Sequence, residues 1–185
     1  MGSDPKGWLQ AQVMGSRPAP EALLPLPDSA DIFKVFTEGR GQARDNAKRA
    51  CTGNSAAQQI ARNIRREIVP LYLEQVAARY TVAVNSAESL RERLVHFWSN
   101  HFAVSADKPQ VIALAATLEN EAIRPTLDHG FTDMLLAVES HPAMILYLDN
   151  QASIGPHSQL AQRAARRSRN NRKLDINENL AREIF

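Results

Sequence analysis

The sequence predicts an all-α fold, an irregular multi-helix bundle. Apolar residues recur at helical spacing along most of the 185-residue chain, and strand-like alternation is confined to the short run 81–84. The segments between the apolar stripes are short, which favours antiparallel packing of successive helices. Hydrophobic residues make up 44% of the chain, which is enough to bury a core, and we expect one helical domain over residues 1–185.

The N-terminal part is predicted to form a short helix around residues 6–14, followed by a connector over residues 18–30. The connector is rich in proline, which lacks a backbone N–H and cannot continue a helix. Asp28 or Ser29 stands where a side-chain oxygen would cap the next helix, just before the apolar run that starts at Ile32.

A long helical stretch is expected over residues 43–80, where isoleucines recur at nearly helical spacing. Pro70 interrupts this stretch and is expected to kink or split the helix. Asn85 followed by Glu88 matches a capping pattern and predicts the start of the next helix. One face of that helix carries a regular stripe formed by Leu90, Leu94, Phe97, Trp98 and His101.

Further helices are predicted in the second half of the chain. Asp107 and Pro109 are expected to start one that runs through Ala122, with an apolar stripe formed by Val111, Leu114, Ala115 and Leu118. Thr132 is expected to cap a short helix, and His141 to open another because it precedes a proline. A last helix candidate begins near Asn177 and has barely two turns before the chain ends, which is short for an isolated helix. We therefore expect an incomplete domain, a fragment of a longer one.

The apolar stripes of these helices predict a common core. The residues expected to be buried together come from four neighbouring helices: Leu94, Phe97, Trp98, Leu118, Leu135, Val138, Ile145 and Leu148. Burial of these large side chains supplies most of the stability that a helical bundle of this size needs.

Composition excludes several classes of protein. The formal net charge of +2 is too small for general attraction to nucleic acid. No run approaches the roughly 18 apolar residues of a membrane span, and no secretory signal is visible at the N-terminus. Cys51 is the only cysteine, so no internal disulfide can form.

A local basic segment lies near the C-terminal end, where six of the eleven residues from Arg163 to Lys173 are basic. It contains no aromatic residue, although base stacking on aromatic rings usually accompanies single-strand nucleic-acid binding. We therefore predict a flexible basic loop over residues 151–176, and the sequence disfavours a nucleic-acid partner.

Polar residues gather at the end of the helix that carries RLVHFWSNHF, residues 93–102. His96 and His101 project about 140° from each other on a regular helix, so they do not form the i, i+4 pair that holds zinc. Asn100 and His101 admit two interpretations. They satisfy free carbonyls at the helix end, or they belong to a binding or catalytic site.

A second polar group lies in the segment 141–156. His141 stands at the entry of a helix, and Asp149 and Asn150 end it. Asx side chains at such a turn commonly bond the local backbone. The functional alternative is that these three residues border a polar pocket.

Five separated motifs together resemble the bacterial domain-of-unknown-function 1800 family. They are DPKGWLQAQV (4–13), RLVHFWSNHF (93–102), IRP (123–125), HPAMILYLDNQASIGP (141–156) and NENLARE (177–183). Members of that family are generally longer than this chain and often exported. They tend to be encoded beside a second exported protein that resembles alkaline phosphatases and sulfatases. The resemblance implies a periplasmic or exported protein, with that neighbour as a candidate partner.

The resemblance also implies that the NENLARE helix meets the ends of the earlier helices in one buried polar network. The catalytic candidates in that network are His101, Asp149 and Glu183. The candidate binding residues are Asn100, His141, Asn150, Asn177 and Arg182. No metal-ligand set is predicted, and the sequence indicates no particular cofactor.

Two functions remain open from the sequence. The first is a binding or assembly module at the cell envelope. The second is a hydrolase or metal-dependent enzyme that uses the polar cluster around His101, Asp149 and Glu183. The binding module is favoured because no nucleophile elbow, phosphate-binding loop or zinc motif completes a catalytic constellation.

Overall fold

The computed structural model describes residues 4–15, 17–50, 53–106, 108, 111–155, 157–167, 179 and 182. Within these residues the protein is all-α, as predicted, with no β-strand. The helices are α1 (Pro5–Val13), α2 (Ser29–Ala50), α3 (Gly53–Asn85), α4 (Ser89–His101), α5 (Ala115–Leu118), α6 (Phe131–Glu139), α7 (Pro142–Tyr147) and α8 (Gln159–Arg167). Short 3-10 turns occur at Glu21–Leu23, Arg124–Thr126 and Asn150–Ala152.

A π-helical turn at Glu119–Ile123 lies at the centre of the packing. The helices α4, α5 and α6 all contact this turn, and α7 packs on α5 and α6. The two longest helices, α2 and α3, pack along each other, and α1 packs on α4. No helix in the described part of the chain has the length and apolar character that crossing a membrane requires.

Three helices begin at caps that the sequence makes recognisable. The Asp4 carboxylate accepts a hydrogen bond from the Gly7 amide at 2.9 Å, and Asp28 accepts one from the Asp31 amide at 2.8 Å. The Nδ1 atom of His141 accepts from the Ala143 amide at 3.2 Å. Each bond satisfies a free N–H of a first helical turn. The predicted helix starts at Asp28 and His141 are thereby confirmed.

Other predicted helix boundaries are wrong. The helix α3 continues through Pro70, so the predicted split is wrong, because packing on α2 and α4 compensates for the backbone hydrogen bond that proline cannot donate. The alternative, a kink at Pro70, stays a prediction. Asn85 is the last residue of α3 and not a cap of α4, since the Ser86 hydroxyl accepts from the Glu88 amide and α4 starts after it. Thr132 lies inside α6, whose N-cap is Gly130.

The helix predicted from residues 107–122 is replaced by several short elements. Its expected start lies outside the described residues. Turns at 111–114 lead into α5, then into the π turn and a 3-10 turn that contains Pro125. The predicted apolar stripe of this segment is nevertheless buried at Val111, Leu114 and Leu118, and half-buried at Ala115.

The core combines residues from most of the helices, including Ile32, Phe36, Ile68, Leu114, Leu118, Ile123, Met134, Val138, Met144 and Leu148. Of the eight residues predicted to share it, Leu118, Val138 and Leu148 are buried within it, and Trp98 and Leu135 are partly buried against it. Leu94 and Ile145 are half-buried. Phe97 is 59% exposed, so its predicted burial is wrong.

The error at Phe97 arises because α4 is rotated from the orientation that its apolar stripe predicts. The buried residues of α4 are Arg91, Glu92 and Val95. Arg91 is drawn inward because its guanidinium donates to the buried Arg124 carbonyl, and Glu92 because it pairs with the Arg124 guanidinium. These contacts turn Phe97 toward solvent.

The two segments predicted as loops contain ordered elements. In the proline-rich connector, the turn at Glu21–Leu23 packs on α3 and buries Leu23. In the predicted basic loop over residues 151–176, the helix α8 occupies Gln159–Arg167, so the loop prediction is wrong over that part. The alternation of small apolar and basic residues there is compatible with a helix that has one solvated face.

Candidate functional site

An ionic network centred on Arg124 lies inside the protein. Its guanidinium donates to both carboxylate oxygens of Glu92, each at 2.8 Å, and to Glu119 at 3.0 Å. The Nε atom of Arg124 donates a fourth hydrogen bond, to the side-chain oxygen of Asn120 at 3.2 Å. The three charged residues are each less than a tenth exposed. Two carboxylates therefore face one buried cation.

The network extends from Glu119 to two other helices. Its carboxylate forms an ion pair with Arg79 of α3 at 2.7 Å and accepts from the Ser99 hydroxyl of α4 at 2.9 Å. Arg79 supplies the second positive charge, so two arginines balance Glu92 and Glu119. The network thus connects α3 to the π turn through an ion pair, and α4 to the π turn through charge-assisted hydrogen bonds.

Arg124 stays charged in this environment. Burial acts to lower the pKa of its guanidinium, but the hydrogen bonds and charges of Glu92 and Glu119 outweigh burial and raise the pKa above its usual range. Arg124 belongs to the IRP motif, but nothing in the local spacing of the sequence predicts its role. The signal in the sequence that could have indicated Arg124 is the position of a charged residue within the IRP motif.

A second polar cluster surrounds Glu121 of the π turn. The Glu121 carboxylate accepts from the Ser29 amide at 2.7 Å and from the Ser29 hydroxyl at 2.6 Å. The other partner is Nε2 of His141, at 3.3 Å. His141 is buried, and its two ring nitrogens join the start of α7 to the start of α2 through Glu121. The predicted binding residue His141 therefore has a structural role here.

Acid will weaken this cluster. Burial acts to raise the pKa of Glu121, but the hydrogen bonds from His141 and Ser29 prevail and lower the pKa below its ordinary value of 4.5. A lowered pKa in the folded state means that the carboxylate stabilises the fold above the unfolded pKa, and that this contribution is lost as the pH falls through the folded pKa.

We expect the stability difference between the wild type and Glu121→Gln to be largest at neutral pH and to shrink on acidification below 4.5. Urea unfolding followed by circular dichroism across this range measures the difference. The exposed Glu74, changed to glutamine, is the matched control and should follow the wild type at every pH. A difference for Glu121→Gln that stays constant as the pH falls would contradict the role assigned to its charge.

A cavity of about 280 Å³ lies between the proline-rich connector and the polar clusters. Pro20, Leu23 and Leu26 form an apolar wall, and Arg91 and Asn120 are among the residues of the polar wall. The π turn supplies part of that wall, and single π turns within helical segments are frequent at functional sites.

The residues of RLVHFWSNHF form an aromatic cluster. The Trp98 ring lies 5.1 Å from Phe97 and 5.5 Å from His101, and it stacks on Phe102 at 5.9 Å. Phe131 of α6 lies 5.7 Å from Trp98. We call these five residues the aromatic patch. His101 is thus held by ring contacts, including one with Phe102 at 4.7 Å.

Two smaller cavities adjoin the aromatic patch. One of about 170 Å³ is bordered by His101, Phe131 and Tyr147, among others. Asn100 borders a different one, of about 200 Å³, together with Glu119. The two neighbouring candidates Asn100 and His101 therefore face different cavities.

Asp149 and Asn150 engage their local surroundings. Asp149 has a left-handed backbone with φ of 56°, which aspartate tolerates better than most residues, and its carboxylate pairs with Lys108 at 2.8 Å. Lys108 also donates to the Tyr147 carbonyl at 2.7 Å. The Asn150 side chain accepts from the Ser153 hydroxyl at 2.9 Å. The Asn150 contact stays within the turn, whereas Asp149 pairs with a residue 41 positions away, so neither of these contacts is the predicted bond to the local backbone.

Comparison with known families assigns the chain. The family described as Protein of unknown function (DUF1800) matches residues 1–185. The chain belongs to this family. No curated protein and no solved structure gives a significant match. The DUF1800 assignment confirms the resemblance of the five motifs and states no activity.

Two motifs of the DUF1800 chain now have physical roles. IRP places Arg124 in the ionic network, and HPAMILYLDN begins with the cap formed by His141. The expected meeting of His101, Asp149 and Glu183 stays a prediction, because Glu183 and Asn177 lie outside the described residues. The remaining NENLARE candidate, Arg182, is described and exposed. Within the described residues, no three His, Cys, Asp or Glu side chains are arranged to hold a metal ion.

Proposed function

We propose that this DUF1800 protein is a binding or assembly module of the bacterial cell envelope, and that it docks a protein partner through the aromatic patch. The observation that carries the proposal is the exposure of large aromatic rings beside a small cavity. Phe97 is 59% exposed and Phe131 is 53% exposed. Exposed aromatic groups at one place are typical of protein interaction surfaces.

The geometry of the aromatic patch favours a protein partner over a small ligand. Trp98, half-buried between Phe97 and Phe131, fixes both rings through its contacts, so little side-chain entropy remains to be lost on binding. The adjoining cavity of about 170 Å³ suits one apolar side chain, as in the anchor pockets of protein interfaces.

Family resemblance provides the partner and the compartment in this proposal. Relatives are often exported and encoded beside a second exported protein that resembles alkaline phosphatases and sulfatases. We therefore take that neighbour as the partner, with docking outside the cytoplasm. The aromatic patch would bury its rings against an apolar surface of the neighbour.

The alternative is a hydrolase or metal-dependent enzyme built on His101, Asp149 and Glu183, and among the described residues no contact between His101 and Asp149 supports it. His101 packs against aromatic rings, and Asp149 pairs with Lys108. Neither contact positions a proton acceptor or a nucleophile near a shared substrate. A binding role accounts better for the arrangement of the described residues.

Replacing both Phe97 and Phe131 with serine should weaken binding of the neighbouring phosphatase-like protein by about 30-fold or more, the effect of losing one interface hot spot. Isothermal titration calorimetry with the two purified proteins measures this loss. Both residues are more than half exposed, so the fold should tolerate the changes. Urea unfolding of the variant checks that it does.

Tyr80→Ser on α3 is the matched control, because Tyr80 is an aromatic residue of similar exposure, 62%, outside the aromatic patch. It should leave the affinity unchanged. Equal affinity for the wild type and the double variant, or an equal loss for Tyr80→Ser, would overturn the docking surface.

A further inference from the structure

The cavity of about 280 Å³ beneath the connector has a chemistry that the docking proposal does not use. Its volume is just below the range of about 300–1,000 Å³ that is usual for small-molecule sites. One wall is apolar, formed by prolines, Leu23 and Leu26, and the opposite wall carries charged and amide side chains. A ligand that fills it must therefore have both an apolar and a polar end.

Most charges on the polar wall are already balanced. Arg124 is matched by Glu92 and Glu119, and Arg17 pairs with Glu88 at 3.1 Å. Asp28, a further acidic group of the lining, caps α2. Glu121, the fourth lining carboxylate, is held by hydrogen bonds from Ser29 and His141.

Arg91 is the exception. Its side chain is buried, with 6% exposure, and the partners of its guanidinium in the described part of the chain are backbone carbonyls, of Arg124 at 3.0 Å and of Val13 at 3.4 Å. Among the described residues, no carboxylate lies within ion-pair distance of Arg91. A buried guanidinium without a counter-charge is costly, and here it borders a cavity.

We propose that this cavity binds a small organic monocarboxylate, whose carboxylate pairs with Arg91 and whose hydrocarbon part lies on Leu23 and Leu26. A guanidinium has several N–H donors in one plane and pairs well with a carboxylate. Asn120 assists, because its side-chain oxygen accepts from Arg124 and its amide NH₂ is left as a donor at the same wall.

The charges that line the cavity favour a ligand with one negative charge over phosphate. Four acidic residues line the cavity, namely Asp28, Glu88, Glu92 and Glu121. One negative charge neutralises Arg91, whereas a second would be repelled by these carboxylates. The apolar connector wall also favours a hydrocarbon chain, which phosphate lacks.

The test uses butyrate as the probe, followed by nuclear magnetic resonance titration of the purified, isotope-labelled chain at constant ionic strength. We expect saturable shifts with butyrate, and none with butyramide or inorganic phosphate. Butyramide has the same size without the charge. Binding of phosphate in preference to butyrate, or equal binding of butyramide, would overturn the carboxylate assignment, and no saturable shift with butyrate would overturn the site.

Two variants locate the bound probe. Arg91→Lys should weaken butyrate binding by about 10-fold, the loss expected for one charge-assisted hydrogen bond. Ala19→Trp fills the cavity from an exposed position on the connector and should abolish binding while the fold is retained. Arg93→Lys, on the exposed face of α4, is the matched control and should bind as the wild type does. Undiminished binding in Ala19→Trp would place butyrate elsewhere and overturn the proposal.

Discussion

Replacing Arg124 with leucine is expected to destabilise the protein by about 3–5 kcal/mol, because it removes the charge that balances a buried carboxylate. Glu92 is 5% exposed, and both its oxygens accept from Arg124 at 2.8 Å. Without the guanidinium, Glu92 must stay buried with its charge unbalanced, take up a proton or move to water. Urea unfolding at neutral pH, followed by circular dichroism, measures the loss.

A second substitution separates the cost of the unpaired carboxylate from the loss of packing. Glu92→Met in the Arg124→Leu background removes the orphaned charge and should restore much of the stability, since apolar pairs often replace buried ion pairs without loss. Glu119 keeps Arg79 and Ser99 as partners in both variants. Lys34→Leu, which breaks an exposed pair with Asp31, is the control and should leave the urea midpoint unchanged. A loss below about 1 kcal/mol for Arg124→Leu would show that water already reaches Glu92.

The ionic network also shows where local sequence patterns stop being informative. Helical periodicity correctly predicted an all-α fold and the buried stripe of Val111, Leu114 and Leu118. It misplaced the buried face of α4, because Glu92 has its partner 32 residues away, at Arg124. A pairing between distant segments leaves no trace in the spacing of apolar residues within one helix.

In the candidate site, too, the local sequence predicts some contacts and gives no sign of those between distant segments. The cap at His141 was predictable, because its proline neighbour and the local backbone determine it. The contact between His141 and Glu121 was not, since it depends on the π turn that interrupts the expected helix. In the sequence, Arg91 is one charged residue among several in its helix, and no local pattern distinguishes it. Its importance appears only when its burial and the cavity beside it are known.

The largest expected effect on the apolar core comes from Leu114. Its side chain is fully buried, with 0% exposure, and lies in the cluster formed with Ile123 and Val138. Leu114→Ala removes buried methyl groups and leaves a cavity that rigid neighbours only partly fill, so we expect a loss of about 2–5 kcal/mol in the free energy of unfolding. Urea unfolding measures it.

Leu136→Ala is the matched control for Leu114→Ala, because it makes the same chemical change on α6 at a side chain that is 61% exposed. It should alter the free energy of unfolding by no more than about 0.5 kcal/mol, since little apolar surface leaves water there on folding. The pair of variants therefore tests burial alone. Equal losses at the two leucines would mean that the turn at 111–114 does not anchor the core. Residues other than Leu114 would then have to hold α5 against α7.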